Sequence, residues 1–268
     1  MTRFRVATYN VHKCKGVDWR VSPTRIADVI CEIDADLIAA QEMLYSHAEL
    51  ISNRLNVPFT FGPARQHQGE PYGNAVFTRR PVISSESYSV TTRMREPRQC
   101  LRVSVSLNKT EPLHFFAIHL GTSFLERREQ ARRFVSAEIL ERSDVKGSRI
   151  VAGDFNEWTR GLATRMLTER LRSADITMHL KRGSTYPGVL PFLHLDHIYY
   201  DPVFYVCGMS LHRTRLALLA SDHLPLVADF ETAASVSQLF TRAIRGARRF
   251  DFVENPATVC RVSNRDRE

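Results

Sequence analysis

The chain has 268 residues, 43% of them hydrophobic and 25% charged, an ordinary globular composition that can bury a sizeable core in one large domain or two small ones. Lys and Arg number 37 against 29 Asp and Glu, and the formal net charge of +8 favours an anionic partner, either nucleic acid or an acidic lipid surface, although many basic enzymes bind neither. The cysteines at 14, 31, 100, 207 and 260 form no CxxC pair, which excludes a zinc-ribbon spacing and a disulfide framework and suits a reducing compartment.

The opening MTRFRVATYN lacks the apolar core of a signal peptide, and no apolar run approaches the roughly 20 residues of a membrane span, so a cytoplasmic location is expected. Residues 4–9 alternate and predict a strand. Pro23 opens a predicted helix with Ile26, Val29, Ile30 and Ile33 at helical spacing. Residues 36–40 are a short apolar run ending in Gln41 and Glu42, a second strand, and 47–56 a second helix. Residues 74–78, 100–107 and 114–119 predict strands. A long helix is expected over 125–142, with Phe134, Val135, Ile139 and Leu140 facing inward, and its RREQARR run (127–133) reads as a solvated basic face. A strand at 149–152, a helix at 162–171 and strands at 195–200, 203–211 and 225–230 follow. Residues 235–250 read as a basic amphipathic helix carrying Arg242, Arg245, Arg248 and Arg249, ahead of a tail. The pattern predicts α/β organisation with mixed or antiparallel sheets covered by helices, two such halves packed as a sandwich.

Polar residues recur at the predicted strand ends: Asn10 in TYN, Glu42 in AAQE, His119 in AIHL, Asp154 and Asn156 in GDFN, Asp196 in HLDHIYY, Asp222 and His223 in SDHLPL. Ligands of layered α/β folds bind beyond strand ends, where loops bring side chains to one point. Carboxylates with an amide and no thiolate favour a hard cation such as Mg²⁺ or Mn²⁺. An Asp beside a His orients the imidazole. These are the parts for attack of water on a phosphate ester. Taken singly, Asn10 reads equally as a turn residue, Glu42 as a surface acid, His119 as a core histidine and Asp154-Phe155-Asn156 as an Asx turn.

The ordered set TYN, QE, GNA, IHL, GDFN, LDHI and SDHLPL resembles the endonuclease/exonuclease/phosphatase superfamily, over about residues 3–231. The resemblance implies a deoxyribonuclease-like four-layer α/β sandwich, two packed mixed β-sheets flanked by helices, with residues 1–231 as the domain and 232–268 as a basic helix and tail. It implies a divalent-metal-dependent phosphodiesterase using Mg²⁺ or Mn²⁺. By motif, Glu42 would be the main metal carboxylate, with Asn10 beside it and Asp222 nearby. Asp154 would position the attacking water, Asn156 would hold phosphate and nucleophile, and His119 would donate to a phosphate oxygen. His223 would contact phosphate or act as base, oriented by Asp196. Asn74 of the GNA motif would support the site and hydrogen-bond phosphate, and Arg95 or Arg98, in the loop before the strand at 100–107, would approach the substrate phosphate, though a solvated loop arginine fits equally. The loop at 12–20, with its lysines and Trp19, could meet a substrate, and Cys14 reads as incidental. The expected substrate is DNA or RNA. The alternatives are a phospholipid, sphingomyelin or inositol phosphate, with 232–268 on an anionic phospholipid surface, or a non-catalytic binding protein on the same fold. No obligate protein partner is implied.

Overall fold

The computed structural model describes residues 2–107, 112–157, 161–177, 184–190 and 192–232. The expected basic helix at 235–250 and the tail lie outside the described residues. Strand β1 (Arg3–Asn10) shows how the layers arise. Its alternation sends Phe4 and Val6 to one face and Ala7 and Tyr9 to the other, and both sets are buried. A strand buried on both faces needs a layer on each side. β1 pairs parallel with β2 (Leu37–Leu44) and antiparallel with β12 (Leu226–Thr232). With β3 (Phe59–His67), β4 (Glu70–Thr78) and β11 (Phe204–Leu211) they form a six-stranded sheet in the order β11-β12-β1-β2-β4-β3.

A second six-stranded sheet contains β5 (Val82–Ser89), β6 (Gln99–Ser106), β7 (Pro112–His119), β8 (Ser148–Asp154), β9 (Arg172–Ser173) and β10 (Asp196–Tyr200), in the order β5-β6-β7-β8-β10-β9. The two sheets face each other through Val6, Leu37, Ala39 and Val76 on one side and Val103, Phe115, Ala117, Ile150 and Ile198 on the other. Helices α1 (Pro23–Ile33), α2 (Tyr45–Leu55) and α6 (Arg215–Ala220) cover the outer face of the first sheet. Helices α3 (Phe124–Phe134) and α4 (Leu162–Thr168) cover that of the second. The result is the expected four-layer sandwich.

Local signals set several boundaries. In α1, Pro23 occupies the first turn, the Ser22 side chain accepts from the Arg25 amide, and Asp34 closes the helix in the left-handed region. The long helix expected over 125–142 ends at Phe134 instead. The Ser136 hydroxyl donates to the Arg133 carbonyl and accepts from the Glu138 amide, so the side chain takes the backbone partners that a continuing helix would need. Val135, Ile139 and Leu140 are still buried, carried inward by turns. Phe134 packs edge-on against Phe116 of β7 at 5.9 Å, and burying one such ring stabilises the layer by roughly 1.5–3 kcal/mol. The RREQARR run is only half a solvated face. Arg127 and Gln130 are buried: Gln130 Oε1 accepts from the Gly121 amide at 2.7 Å, and Arg127 donates to the Thr122 carbonyl. Both brace the turn that follows His119.

Candidate active site

The site follows from the same alternation. On β8, Ile150 and Ala152 point between the sheets, so Asp154 does too. On β7 that parity runs Leu113, Phe115, Ala117 and His119; on β10 it runs Tyr200, Ile198 and Asp196; on β1 it runs Phe4, Val6, Thr8 and Asn10; and on β4 it reaches Asn74 from Val76. The apolar layer between the sheets is therefore capped at one end by polar groups. The parallel pairs β1/β2 and β7/β8 both direct their carboxyl ends there, with Asn10 opposite Gln41 and His119 opposite Asp154. Asp196 lies opposite Asp154 on the antiparallel neighbour.

Two local features make the cluster fit. Gly153, one residue before Asp154, is required because a Cβ there would stand 1.9 Å from the Ile118 carbonyl oxygen of the neighbouring strand. Glu42 breaks the alternation. Simple continuation from Ile38 and Ala40 would send it to the helix face. Instead β2 bulges between Ala40 and Met43, and Glu42 sits at φ 56°, in the left-handed region. Met43 then returns to the helix-side core and Glu42 is turned toward the cluster. A left-handed backbone at a glutamate is uncommon and costs on the order of 1–3 kcal/mol.

Asn10 Nδ2 donates to Asp154 Oδ2 at 3.0 Å and lies 3.4 Å from Glu42 Oε1, while Asn10 Oδ1 accepts from the His12 amide. The Asp154 side chain is almost wholly buried; its Oδ1 accepts from the Asn156 amide, and its Oδ2 lies 3.6 Å from His119 Nε2 and 3.8 Å from His223 Nε2. The Asn156 side-chain Nδ2 donates to the Leu120 carbonyl and lies 3.3 Å from His119 Nε2. His223 Nδ1 is 2.9 Å from Asp196 Oδ2. The Ser221 hydroxyl donates to the Asn10 carbonyl, tying the 221–223 turn to the end of β1.

The remaining expected residues take more peripheral places. Asp222 is one-third exposed and faces His12 at 3.4 Å. Arg98 Nη1 lies 2.9 Å from His119 Nδ1. Arg95 is exposed, and among the described residues its side chain joins none of the hydrogen bonds of the cluster. Asn74 donates to the Gln99 and Ala117 carbonyls, bracing one sheet on the other, and also lines a small cleft with Glu42, Tyr72, Arg98 and His119. Sequence reasoning missed Tyr72 on the wall of that cleft and Tyr186, whose ring lies 4.9 Å from that of His223. Tyr72 sits near Asn74 in sequence, but nothing in the local pattern marks Tyr186.

Electrostatics separate the two histidines. Burial, aided by the Arg98 guanidinium, lowers His119 to about 4, so it is neutral near pH 7. Burial also works against a charged His223, but Asp196, Asp154 and Asp222 outweigh it and hold the imidazolium to about 10. Burial raises the Asp154 carboxyl, with His223 pulling the other way. Glu42 feels the same burial, yet His119, Lys13 and His12 bring it down to about 2. The Cys14 thiol is pushed up by burial and is no nucleophile.

The chain belongs to the Endonuclease/Exonuclease/phosphatase family, whose pattern matches residues 7–223. It is 27% identical over 245 residues to "Uncharacterized protein YbhP" of Escherichia coli strain K12, covering 84% of this chain and 95% of that one. Among solved structures it is similar to an endonuclease/exonuclease/phosphatase from Beutenbergia cavernae, with 21% identity, a TM-score of 0.69, and coverage of 87% of this chain and 72% of that one. It is also similar to a mannosyl-6-phosphatase of Bacteroides thetaiotaomicron, with 18% identity, a TM-score of 0.70, and coverage of 85% and 99%. Members of the family are hydrolases of phosphoester bonds and generally use divalent metals. The residues present fit such an ion. Glu42 is an ionised oxygen donor beside Asn10 and Asp154, the Lys13 ammonium stands 3.1 Å from Glu42 Oε2 as a cation would, and the buried Asp196 Oδ1 has no hydrogen-bond partner.

Proposed function

We propose that the protein is a divalent-metal-dependent phosphodiesterase acting on nucleic acid. The observation that carries the chemistry is the buried convergence of Asp154 with Asn10, His119, Asn156 and the Asp196–His223 pair. Mg²⁺ or Mn²⁺ held by Glu42 and Asn10, with Asp222 nearby, would supply Lewis-acid polarisation of the phosphoryl oxygens. Asp154 orients the attacking water and takes its proton, and its burial makes it a stronger base than an exposed carboxylate. Asn156 holds the nucleophile and the phosphate. His223, charged near pH 7, donates Nε2–H to a phosphate oxygen as negative charge builds, with Asp196 fixing the ring through Nδ1. The same charge makes His223 a poor general base and leaves that task to Asp154. His119 is neutral and donates a hydrogen bond without adding charge.

The nucleic-acid reading rests on the basic balance of the chain and on exposed groups of two loops, the one at 12–20 that follows Asn10 and the one that carries Arg95 and Arg98. Arg95 is exposed beside Arg98, and Lys15 lies 4.1 Å over the ring of Trp19, which is 78% exposed. Arginine and exposed aromatic groups suit phosphate contact and base stacking. A phospholipid reading is favoured by a different observation: Phe124, Leu125, Leu190 and Phe192 are exposed on segments that follow the His119 turn and flank Tyr186. Among the described residues Cys14, Cys31, Cys100 and Cys207 are free. No helix among the described residues is long and apolar enough to cross a membrane.

The test is cleavage of supercoiled plasmid and a labelled single strand with Mg²⁺, Mn²⁺ or EDTA, beside phospholipid and sugar-phosphate substrates. Metal-dependent cutting by the parent and not by Asp154→Asn establishes the reading. Turnover of lipid or monoester alone replaces the substrate while keeping the chemistry.

A further inference from the structure

A second cluster of metal-ligating atoms lies on the opposite face of β10. Asp196 points between the sheets, so its neighbour His197 points outward, against α5 (Ala174–Thr177). There Asp175 Oδ2 is 3.1 Å from His194 Nε2 and 3.4 Å from His197 Nδ1. All three ligand atoms lie within 4.8 Å of one another. A tetrahedral ion with bonds of about 2.0–2.1 Å holds its ligands about 3.3–3.4 Å apart, so two edges are close to that length already.

The hydrogen bonds around these atoms point the same way. His197 Nε2 lies 3.2 Å from the Glu157 carbonyl, which can only accept, so the proton sits on Nε2. In the neutral ring Nδ1 then turns a lone pair toward a carboxylate oxygen. Two acceptors face each other unless a cation lies between them or the ring carries a second proton. The far oxygen of Asp175 accepts from the Ser173 hydroxyl. A ligating imidazole whose other nitrogen is fixed by a backbone carbonyl, beside a ligating carboxylate that is itself hydrogen-bonded, is the usual outer arrangement of a metal site. His194 keeps about one-fifth of its side chain exposed.

We infer that Asp175, His194 and His197 form a binding site for a borderline divalent cation, Zn²⁺ by its donor set of two imidazoles and one carboxylate, separate from the phosphoesterase centre. A bound ion clamps α5 and the 194–197 segment to the chain that leaves β8 through Glu157. It thereby stiffens, from behind, the strand that carries Asp196. The inference does not depend on which phosphoester is cleaved.

The test uses the full chain with Glu42→Ala and Asp154→Asn, which removes two carboxylates of the phosphoesterase centre, and the Asp175 and His194 variants assign the site that is left. After chelator treatment, Zn²⁺ is titrated by calorimetry and Co²⁺ by visible absorption, with excess Mg²⁺ present. One equivalent of Zn²⁺ bound against Mg²⁺, with the intense bands of tetrahedral Co²⁺, is expected. Adding His194→Ala should weaken Zn²⁺ by more than roughly 100-fold and abolish those bands, and Asp175→Asn should do the same. Circular dichroism of the metal-free variants checks folding, and His194→Gln at this partly exposed position serves if either variant unfolds. No Zn²⁺ binding by the background protein, or binding unchanged by His194 and Asp175 substitution, overturns the site and leaves an aspartate–imidazolium ion pair.

Discussion

Asp196→Asn gives the sharpest test of the proposed chemistry, because it keeps the shape of the side chain and removes its charge. His223 is held at about 10 rather than 6.5, a preference for the imidazolium of about 5 kcal/mol. Asp196 is the largest of the groups that raise it and the nearest, at 2.9 Å against 3.8 Å for Asp154. Assigning it about half the effect, the substitution should remove about 2–3 kcal/mol and bring His223 down to about 8. The charged fraction of His223 at pH 8.5, and with it the activity, should then fall about fourfold, and the loss should grow toward about 50-fold by pH 10 while staying small near pH 6, where the ring is still charged. Stability moves in step. A histidine raised in the folded state contributes fully below its unfolded pKa of 6.5, and that contribution is lost as pH rises through 10. Asp196→Asn should therefore lower Tm more at pH 6 than at pH 10. The assay is a pH profile of kcat/KM between 5 and 10.5, with thermal melts at both ends. An alkaline limb that stays in place, or equal Tm losses at pH 6 and pH 10, would refute the assignment of a charged His223.

Asp154→Asn should cut turnover by several powers of ten while leaving Tm at pH 7 unchanged or higher. Burial raises this carboxyl, so its ionised form costs stability at neutral pH, and a melt that drops sharply would contradict that. Glu42→Ala should abolish most of the Tm gain produced by Mn²⁺, a gain worth about 2.7 kcal/mol at a hundredfold excess over Kd; an undiminished gain moves the catalytic metal elsewhere. Arg95→Ala should lower the salt slope of nucleic-acid binding by about 1 with little change in the chemical step, and an unchanged slope removes Arg95 from the contact surface. Gly153→Ala should destabilise the fold by about 3 kcal/mol or more in urea unfolding, because its Cβ would meet the Ile118 carbonyl; a neutral result would mean that β7 and β8 part easily.

Much of the site was legible because its residues stand at the ends of apolar strands, and apolar alternation is a local property. Residues 4–9 and 149–152 announce strands by composition, and Asn10, Asp154 and Asn156 follow them in the chain. Other elements were hidden for local reasons. β5 lies at a sheet edge with an exposed, serine-rich sequence, and β3 carries Gly62 and Pro63, so neither has the apolar pattern of a central strand. The excess length assigned to α3 came from apolar spacing that continues past Ser136, where side-chain hydrogen bonds end the helix.

The sequence by itself determined the family motifs, the period of each strand, and hence that Asn10, His119, Asp154 and Asp196 share a face with the buried residues before them. It could not determine which strands are neighbours, because sheet order rests on pairings between residues as far apart as Arg3 and Glu231. Only the tertiary structure decided that the two parallel pairs end at the same edge, that a bulge turns Glu42 away from the helices, and that burial with Arg98 at one histidine and Asp196 at the other drive two nearby rings to opposite charge states. Each of these depends on distance and burial, which are properties of the packed chain and not of any short stretch of it.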